Sequence, residues 1–311
     1  MGGYVNSGII FQLPIRGKGL PVNRQMFFDE SDSDEKIIEA FVNSNLTQIQ
    51  AIKPPTEDEI KILNEVFLKR PDIIFREYDS IFGFVIKEID VSYLAQLTNV
   101  KRLYLDIVCE FKNAECIANL ELEQFALTSL YQQDYGFLRS IPTSVNNLVL
   151  ELHEKNAKVD LNNVLHLTEL KSLTLRNIKK GIDKISEFKK LEELSLRSIS
   201  IKDYSFLADM PVKTLSMGFQ NAEYFDTFGI NEKIENLYFW RNKNLTDLNF
   251  LNNFPNLKCA VFRSQKQIKC DVDLTKLTHL EQLCFDEEVP DGIEIKCAPG
   301  TKIVEYCDVT R

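Results

Sequence analysis

The 311-residue chain is predicted to be an α/β solenoid: a curved parallel β-sheet with an irregular, 3-10-rich convex side and an α/β N-terminal cap. Three observations predict it. Leu191, Leu194 and Leu196 are spaced Leu-x-x-Leu-x-Leu; Val212, Leu215 and Met217 repeat that spacing 21 residues on, and Ile234, Leu237 and Phe239 another 22 on. The central residues of such cores, Leu103, Phe125, Leu148, Leu173, Leu194, Leu215, Leu237, Ala260 and Leu283, follow one another at steps of 21 to 25 residues. Between cores lies a second apolar cluster, as in Ile201, Tyr204, Phe206 and Leu207 ahead of Met210-Pro211. A period of this length marks a stacked array whose units cannot bury their apolar sides alone.

Residues 1–80 lack the period and are assigned to an N-terminal capping region with helices. Asp29, Glu30, Asp32, Asp34 and Glu35 precede Ile37, Ile38, Phe41 and Val42 at helical spacing. The acids therefore decorate a helix N-terminus, where the macrodipole favours them. Thr56-Glu57-Asp58-Glu59 is a capping box. The helix it opens carries Ile60, Leu63, Val66 and Phe67 on one face and stops before Pro71. Ile73 to Tyr78 reads as a strand.

Residues 81–288 form the solenoid of about nine units. Stacking places its strands about 4.8 Å apart in a parallel sheet. Units of 21 to 25 residues are too short for a full crossover helix each, so the returns are 3-10 turns and extended pieces. Residues 289–311 form a C-terminal cap, in which Ile293, Ile295, Ile303, Val304 and Tyr306 make a closing hairpin or final strand pair around Pro299-Gly300.

Ile89 to Val100, with Leu94, Leu97 and Val100, resembles the return segment of short leucine-rich repeats. Leu245 to Leu251 followed by Phe254-Pro255-Asn256-Leu257, and Ile201 to Pro211, are similar. Such repeats occur in bacterial internalins and in a regulatory subunit of a eukaryotic protein phosphatase. The resemblance implies a leucine-rich-repeat solenoid over about 200 residues. It also implies an asparagine three residues after the last core residue of each strand; Asn242 fits, whereas Val108, Ile199 and Glu288 stand there elsewhere.

A net charge of −9 argues against a phosphate-dominated, nucleic-acid-binding surface. Seven cysteines without a Cys-x-x-Cys pair read as reduced thiols, and no apolar run is long enough to span a membrane. Gly8 to Pro14 is too short for a signal-peptide core, and Asn6 breaks the myristoylation motif begun by Met1-Gly2. A cytoplasmic monomer is expected.

Catalytic motifs fail in detail. His153-Glu154-Lys155-Asn156-Ala157 has Ala157 where a zinc-protease helix needs histidine, and Arg16-Gly17-Lys18-Gly19 lacks the residues of a phosphate loop. No metal, cofactor or catalytic residue is expected.

Strand alternation turns the residues between the leucines onto the exposed concave face. Arg176, Arg197, Trp240 and Arg263 fall at one position of successive strands, with Tyr238 beside Trp240, and Tyr104 at the equivalent of Tyr238. Aromatic and arginine residues dominate interface hot spots, so these six are the candidate partner-binding residues. The plainer alternative is that Trp240 stacks on Arg263 as a surface cation–π pair. The expected role is a non-enzymatic module gripping a protein partner, in a narrower form a bacterial immunity-type inhibitor. The alternatives are a regulatory or targeting subunit of an enzyme, or an internalin-like host-interaction protein.

Overall fold

A computed structural model describes residues 9–16, 26, 28–79, 88–153, 158–199, 201, 203–220, 225–242, 244–264, 268–287 and 292–306. The chain packs as two compact units, Met1–Lys158 and Val159–Arg311.

In the first unit the strands are β1 (Ile9–Gln12), β2 (Leu46–Ala51), β3 (Ile74–Tyr78), β4 (Glu88–Asp90), β5 (Arg102–Ile107), β6 (Glu110–Lys112), β7 (Gln124–Ser129) and β8 (Asn147–Leu152). Its main sheet runs β1-β2-β3-β5-β7-β8, with every pairing parallel, while β4 pairs with β6 alone. Helix α1 (Asp34–Val42) connects β1 to β2, and α2 (Glu57–Lys69) connects β2 to β3. The central core residues Ile49, Phe75 and Leu103 pair in register at steps of 26 and 28 residues. The 26-residue step accommodates α2 in its return, whereas the described part of the 28-residue step holds β4 and the 3-10 turn Ser92–Gln96.

The two helices begin where the sequence places them. Ser33 accepts from the backbone N–H of Lys36, and Asp34 and Glu35 occupy the first turn of α1. At α2, the Thr56 hydroxyl accepts from the Glu59 N–H while the Glu59 carboxylate accepts from the Thr56 N–H at 2.9 Å. The other Glu59 oxygen accepts from the N–H of Ile15 at 2.7 Å, so one buried acid caps the helix and anchors the chain after β1. Ile37 and Phe41 of α1, and Ile60, Leu63, Val66 and Phe67 of α2, are buried.

In the second unit the strands are β9 (Ser172–Arg176), β10 (Glu193–Arg197), β11 (Thr214–Gly218), β12 (Asn236–Trp240), β13 (Cys259–Arg263), β14 (Val272–Leu274), β15 (Gln282–Phe285), β16 (Ile295–Cys297) and β17 (Lys302–Val304). The main sheet runs β9-β10-β11-β12-β13-β15-β17, again wholly parallel. Leu173, Leu194, Leu215, Leu237, Ala260, Leu283 and Ile303 form one in-register row. Leu175, Leu196, Met217, Phe239, Phe262 and Phe285 form the next. The six residues of that second row are buried, and each large apolar side chain removed from water contributes roughly 1.5–3 kcal/mol. Phe239, Phe262 and Phe285 stack in sequence with centroids 5.6 and 5.7 Å apart.

A closing hairpin does not form at the C-terminus. β17 pairs with β15 and β16 pairs with β14, both in parallel, and β16 and β17 do not pair with each other. The 20 residues from Leu283 to Ile303 make one more repeat, whose return strand follows the track of the previous one.

The returns are mostly short 3-10 turns, such as Ser92–Gln96, Ile182–Glu187, Ser205–Leu207 and Asn249–Asn253. A recurring acid starts several of the returns, and Asp273 plays the same part within β14. Asp90, Asp134, Asp160, Asp203, Asp247 and Asp273 each accept from the N–H two residues on, at 2.8–3.0 Å. This Asx turn lets a side chain do the work of a backbone acceptor.

At the strand entries of the second unit, Lys171, Glu192, Lys213, Glu235, Lys258, Glu281 and Lys302 alternate in charge. Each after Lys171 donates its backbone N–H to the carbonyl of the one before, at 2.8–2.9 Å. Lys213 reaches Glu192 at 2.9 Å and Lys258 reaches Glu235 at 2.8 Å.

Candidate interaction surface

The register of the second unit aligns Arg176, Arg197, Gly218, Trp240 and Arg263 on five adjoining strands. Thr174, Ser195, Ser216, Tyr238, Val261 and Cys284 make the parallel row two residues earlier. Four of the six candidate residues thus stand in one row with Tyr238 beside it. Tyr104 lies in the first unit, where its hydroxyl accepts from the Gln124 side-chain amide at 2.7 Å. Its register neighbour Arg76 is ion-paired with Asp106 and lies 4.4 Å from the Tyr78 ring.

The face is less open than alternation alone implies. All six candidate residues are half-buried, and Thr174, Val261 and Cys284 are buried. Neighbouring strands crowd side chains about 4.8 Å apart on one face, so long residues shield short ones.

Trp240 makes a different contact from the alternative of a stack on Arg263. Its indole lies across Gly218, where a Cβ would come within 2.2 Å of Nε1. Beyond that glycine the guanidinium of Arg197, two strands away, lies 5.4 Å from the ring centroid. The missing side chain at 218 opens the space that lets a tryptophan and an arginine from non-adjacent strands meet.

One residue past each strand the backbone turns left-handed. Asn177, Ser198, Phe219, Arg241 and Ser264 have φ of 58°, 51°, 56°, 51° and 51°. Asn177, Ser198, Phe219 and Arg241 donate their N–H groups to Arg197, Gly218, Trp240 and Arg263, at 2.9–3.1 Å. The ladder therefore continues past the strand ends and imposes the conformation whatever the side chain. Asparagine tolerates this region; phenylalanine and arginine do so less readily. Phe219 is 44% exposed, and the guanidinium of Arg241 lies 5.7 Å from its ring centroid. Sequence reasoning missed both residues. The signal available was their place directly after Gly218 and Trp240.

Buried amides lock the next positions. The Asn242 side chain donates to Met217 O at 3.1 Å and accepts from Gln220 N–H at 3.0 Å. Gln220, three residues after Met217, donates to Leu196 O at 2.9 Å and to Gly218 O at 3.2 Å. A glutamine thus takes the asparagine position in the preceding repeat. Ile178 and Ile199 fill the same place in earlier repeats and are buried without side-chain bonds to give.

In the first unit Glu77 sits at a core-facing position, 1% exposed, and accepts from the Tyr93 hydroxyl. Burial pushes its carboxyl up to about 7, against the Tyr93 hydrogen bond and with a smaller push from Asp79. Burial and the neighbouring Asp79 push the Cys109 thiol up to about 12. Among the described residues Cys109, Cys116, Cys259, Cys270, Cys284 and Cys297 form no disulfide, and Cys307 lies outside the described residues. Among the described residues no group of three or more His, Cys, Asp or Glu could hold a metal ion, and no helix is long and apolar enough to cross a membrane. Met1, Gly2, Asn6, residues 17–19, residues 154–157 and Glu288 lie outside the described residues.

No protein-family model matches the chain. No curated protein matches it either. Among solved structures it is similar to an internalin, InlF, of Listeria monocytogenes, at 16% identity and TM-score 0.47, covering 89% of this chain and 83% of that one. It is also similar to internalin C2 of the same organism, at 15% identity and TM-score 0.41, covering 71% of this chain and 81% of that one. A leucine-rich-repeat protein of Leptospira interrogans matches at 11% identity and TM-score 0.33, covering 86% and 91%. The in-register rows of Leu-x-x-Leu-x-Leu strands, their short 3-10 returns and the amide pair Gln220–Asn242 give this chain the fold of a leucine-rich-repeat solenoid of the short-repeat, internalin-like kind.

Proposed function

We propose that this chain is a non-enzymatic protein-binding module and that it binds through the inner face of its second unit. The observation that carries the reading is the row Arg176–Arg197–Gly218–Trp240–Arg263, a cationic and aromatic band in a chain of net charge −9. Arginine and tryptophan supply a large share of interface hot spots, and a local patch opposite in sign to the whole molecule favours an acidic partner surface. Parallel strands joined by short returns form a rigid platform, so little ordering is needed on binding. Cysteines outside disulfides among the described residues suit a reducing compartment and a cytoplasmic setting.

The narrower reading is an immunity-type inhibitor that sequesters a toxin domain. It is supported by the acidic composition and the absence of a recognisable catalytic motif. The deciding experiment is crosslinking and purification of the full chain from its native host, in parallel with a variant carrying Trp240→Ala and Arg197→Glu. The wild type is expected to recover one dominant protein and the folded variant to lose it. Equal recovery by both removes the inner face from the binding surface. A toxin encoded beside the gene supports the inhibitor, and a phosphatase or protease supports a regulatory subunit instead.

A further inference from the structure

The positions just beyond the row carry a second pairing of ring and guanidinium. Phe219 follows Gly218, Arg241 follows Trp240, and the two pairs, Arg197 on Trp240 and Arg241 on Phe219, lie side by side. Both Phe219 and Arg241 hold left-handed backbone, at φ of 56° and 51°. Elsewhere on this ladder the position is given to asparagine or serine. In these two repeats alone among Asn177, Ser198, Phe219 and Arg241, the following residue is a buried amide, Gln220 or Asn242, bonded to the backbone of a neighbouring strand. A disfavoured conformation persists only where its surroundings over-determine it, and such positions concentrate at ligand clamps. The backbone ladder imposes the turn and the amides brace it in these two repeats, and the result is a phenylalanine 44% exposed beneath a guanidinium.

A guanidinium lying on a ring keeps its N–H edge outward as a flat fork, the shape that accepts a carboxylate in two parallel bonds. Arg197 is on β10, Arg241 directly follows β12 and Arg263 is on β13, so the three guanidinium groups belong to positions within three strand spacings. We propose that Phe219 and Arg241 anchor an acidic, carboxylate-bearing segment of the partner protein, the ring making an apolar contact and the arginines holding the carboxylates. This rests on the inner face of the second unit being the binding surface.

The test uses the full chain and a fluorescein-labelled peptide of alternating glutamate and leucine, with a lysine-for-glutamate peptide as control. Trp240, the only tryptophan in the chain, gives a second readout through its own emission. The acidic peptide is expected to bind saturably, to change Trp240 emission and to be released by salt; the control is not expected to bind. Phe219→Asn and Arg241→Ala are each expected to weaken binding about tenfold or more, and Phe219→Tyr to preserve it. Phe219→Asn is expected to melt no lower than wild type, because asparagine suits the left-handed turn.

No saturable binding of the acidic peptide, unchanged affinity in Phe219→Asn, or a clear loss of Tm in that variant would each overturn the proposal. Affinity lost in Arg176→Glu with Arg197→Glu but kept in Phe219→Asn and Arg241→Ala leaves the inner-face reading standing and removes this one. The converse pattern keeps the anchor and removes the row.

Discussion

Gly218 and Trp240 occupy adjoining strands, and the indole fills the space that a side chain at 218 would take: an added Cβ would stand 2.2 Å from both Nε1 and Cε2 of Trp240. Neither residue explains the other's position from sequence spacing alone, yet together they bring Arg197 to within 5.4 Å of the ring centroid.

Gly218→Ala is therefore expected to expel the indole from its bed. Overpacking of this kind costs about 1–3 kcal/mol. Because Trp240 is the only tryptophan, a shifted emission spectrum accompanied by a lower urea midpoint checks the contact directly. An unchanged spectrum would place the ring elsewhere.

Leu194 is 1% exposed in the middle of the second unit's core row. Leu194→Asp would leave an unpaired charge among Leu173, Leu215 and their neighbours, costing several kcal/mol. Circular dichroism and a thermal melt should show the second unit unfolded or melting far lower. A cooperative melt at the wild-type temperature contradicts the burial of that row.

Glu77 predicts a pH dependence of the first unit. Its carboxyl titrates at about 7 in the folded chain against an ordinary value of 4.5. A raised value means that the folded state holds the proton more tightly. The contribution is complete below about pH 4.5 and is lost as pH rises through about 7, amounting to about 3 kcal/mol. Glu77→Gln keeps a partner for Tyr93 and removes the titration. The variant is expected to gain on the wild type between about pH 5 and pH 8 in urea unfolding, whereas a constant difference across that range would contradict the account.

Lys213 sits between Glu192 and Glu235, and both carboxylates raise its proton affinity. Lys213→Glu would place three acids in succession in the strand-entry column. The melting temperature is expected to fall in low salt and to recover toward wild type near 1 M salt, where screening shortens to about 3 Å. A deficit independent of salt would mean that the lysine's aliphatic stem, rather than its charge, is what the column uses.

The array was legible because its signal is repeated. A row such as Leu173–Leu194–Leu215–Leu237 needs only aliphatic residues at one period, and the capping box at Thr56 and Glu59 is local chemistry. The C-terminal segment reads from sequence as a closing hairpin or final strand pair because Pro299-Gly300 is a turn signal, and turn residues do not say which strand comes next. The surface was half legible: period alone aligned Arg176, Arg197, Trp240 and Arg263. The direction in which Trp240 leans depends on an absent side chain at 218. The left-handed ladder was hidden because Ser198, Phe219 and Arg241 are not the residues that ordinarily advertise it. Gln220 passed unnoticed because a glutamine there does an asparagine's work with one more methylene.

The Lys–Glu alternation at the strand entries carries a parity rule. Excising any one internal repeat between Lys171 and Lys302 would set lysine against lysine or glutamate against glutamate, whereas excising two consecutive ones would restore opposite signs at the new junction. Repeats added to or removed from this part of the molecule would therefore keep the column's charges matched only in even steps.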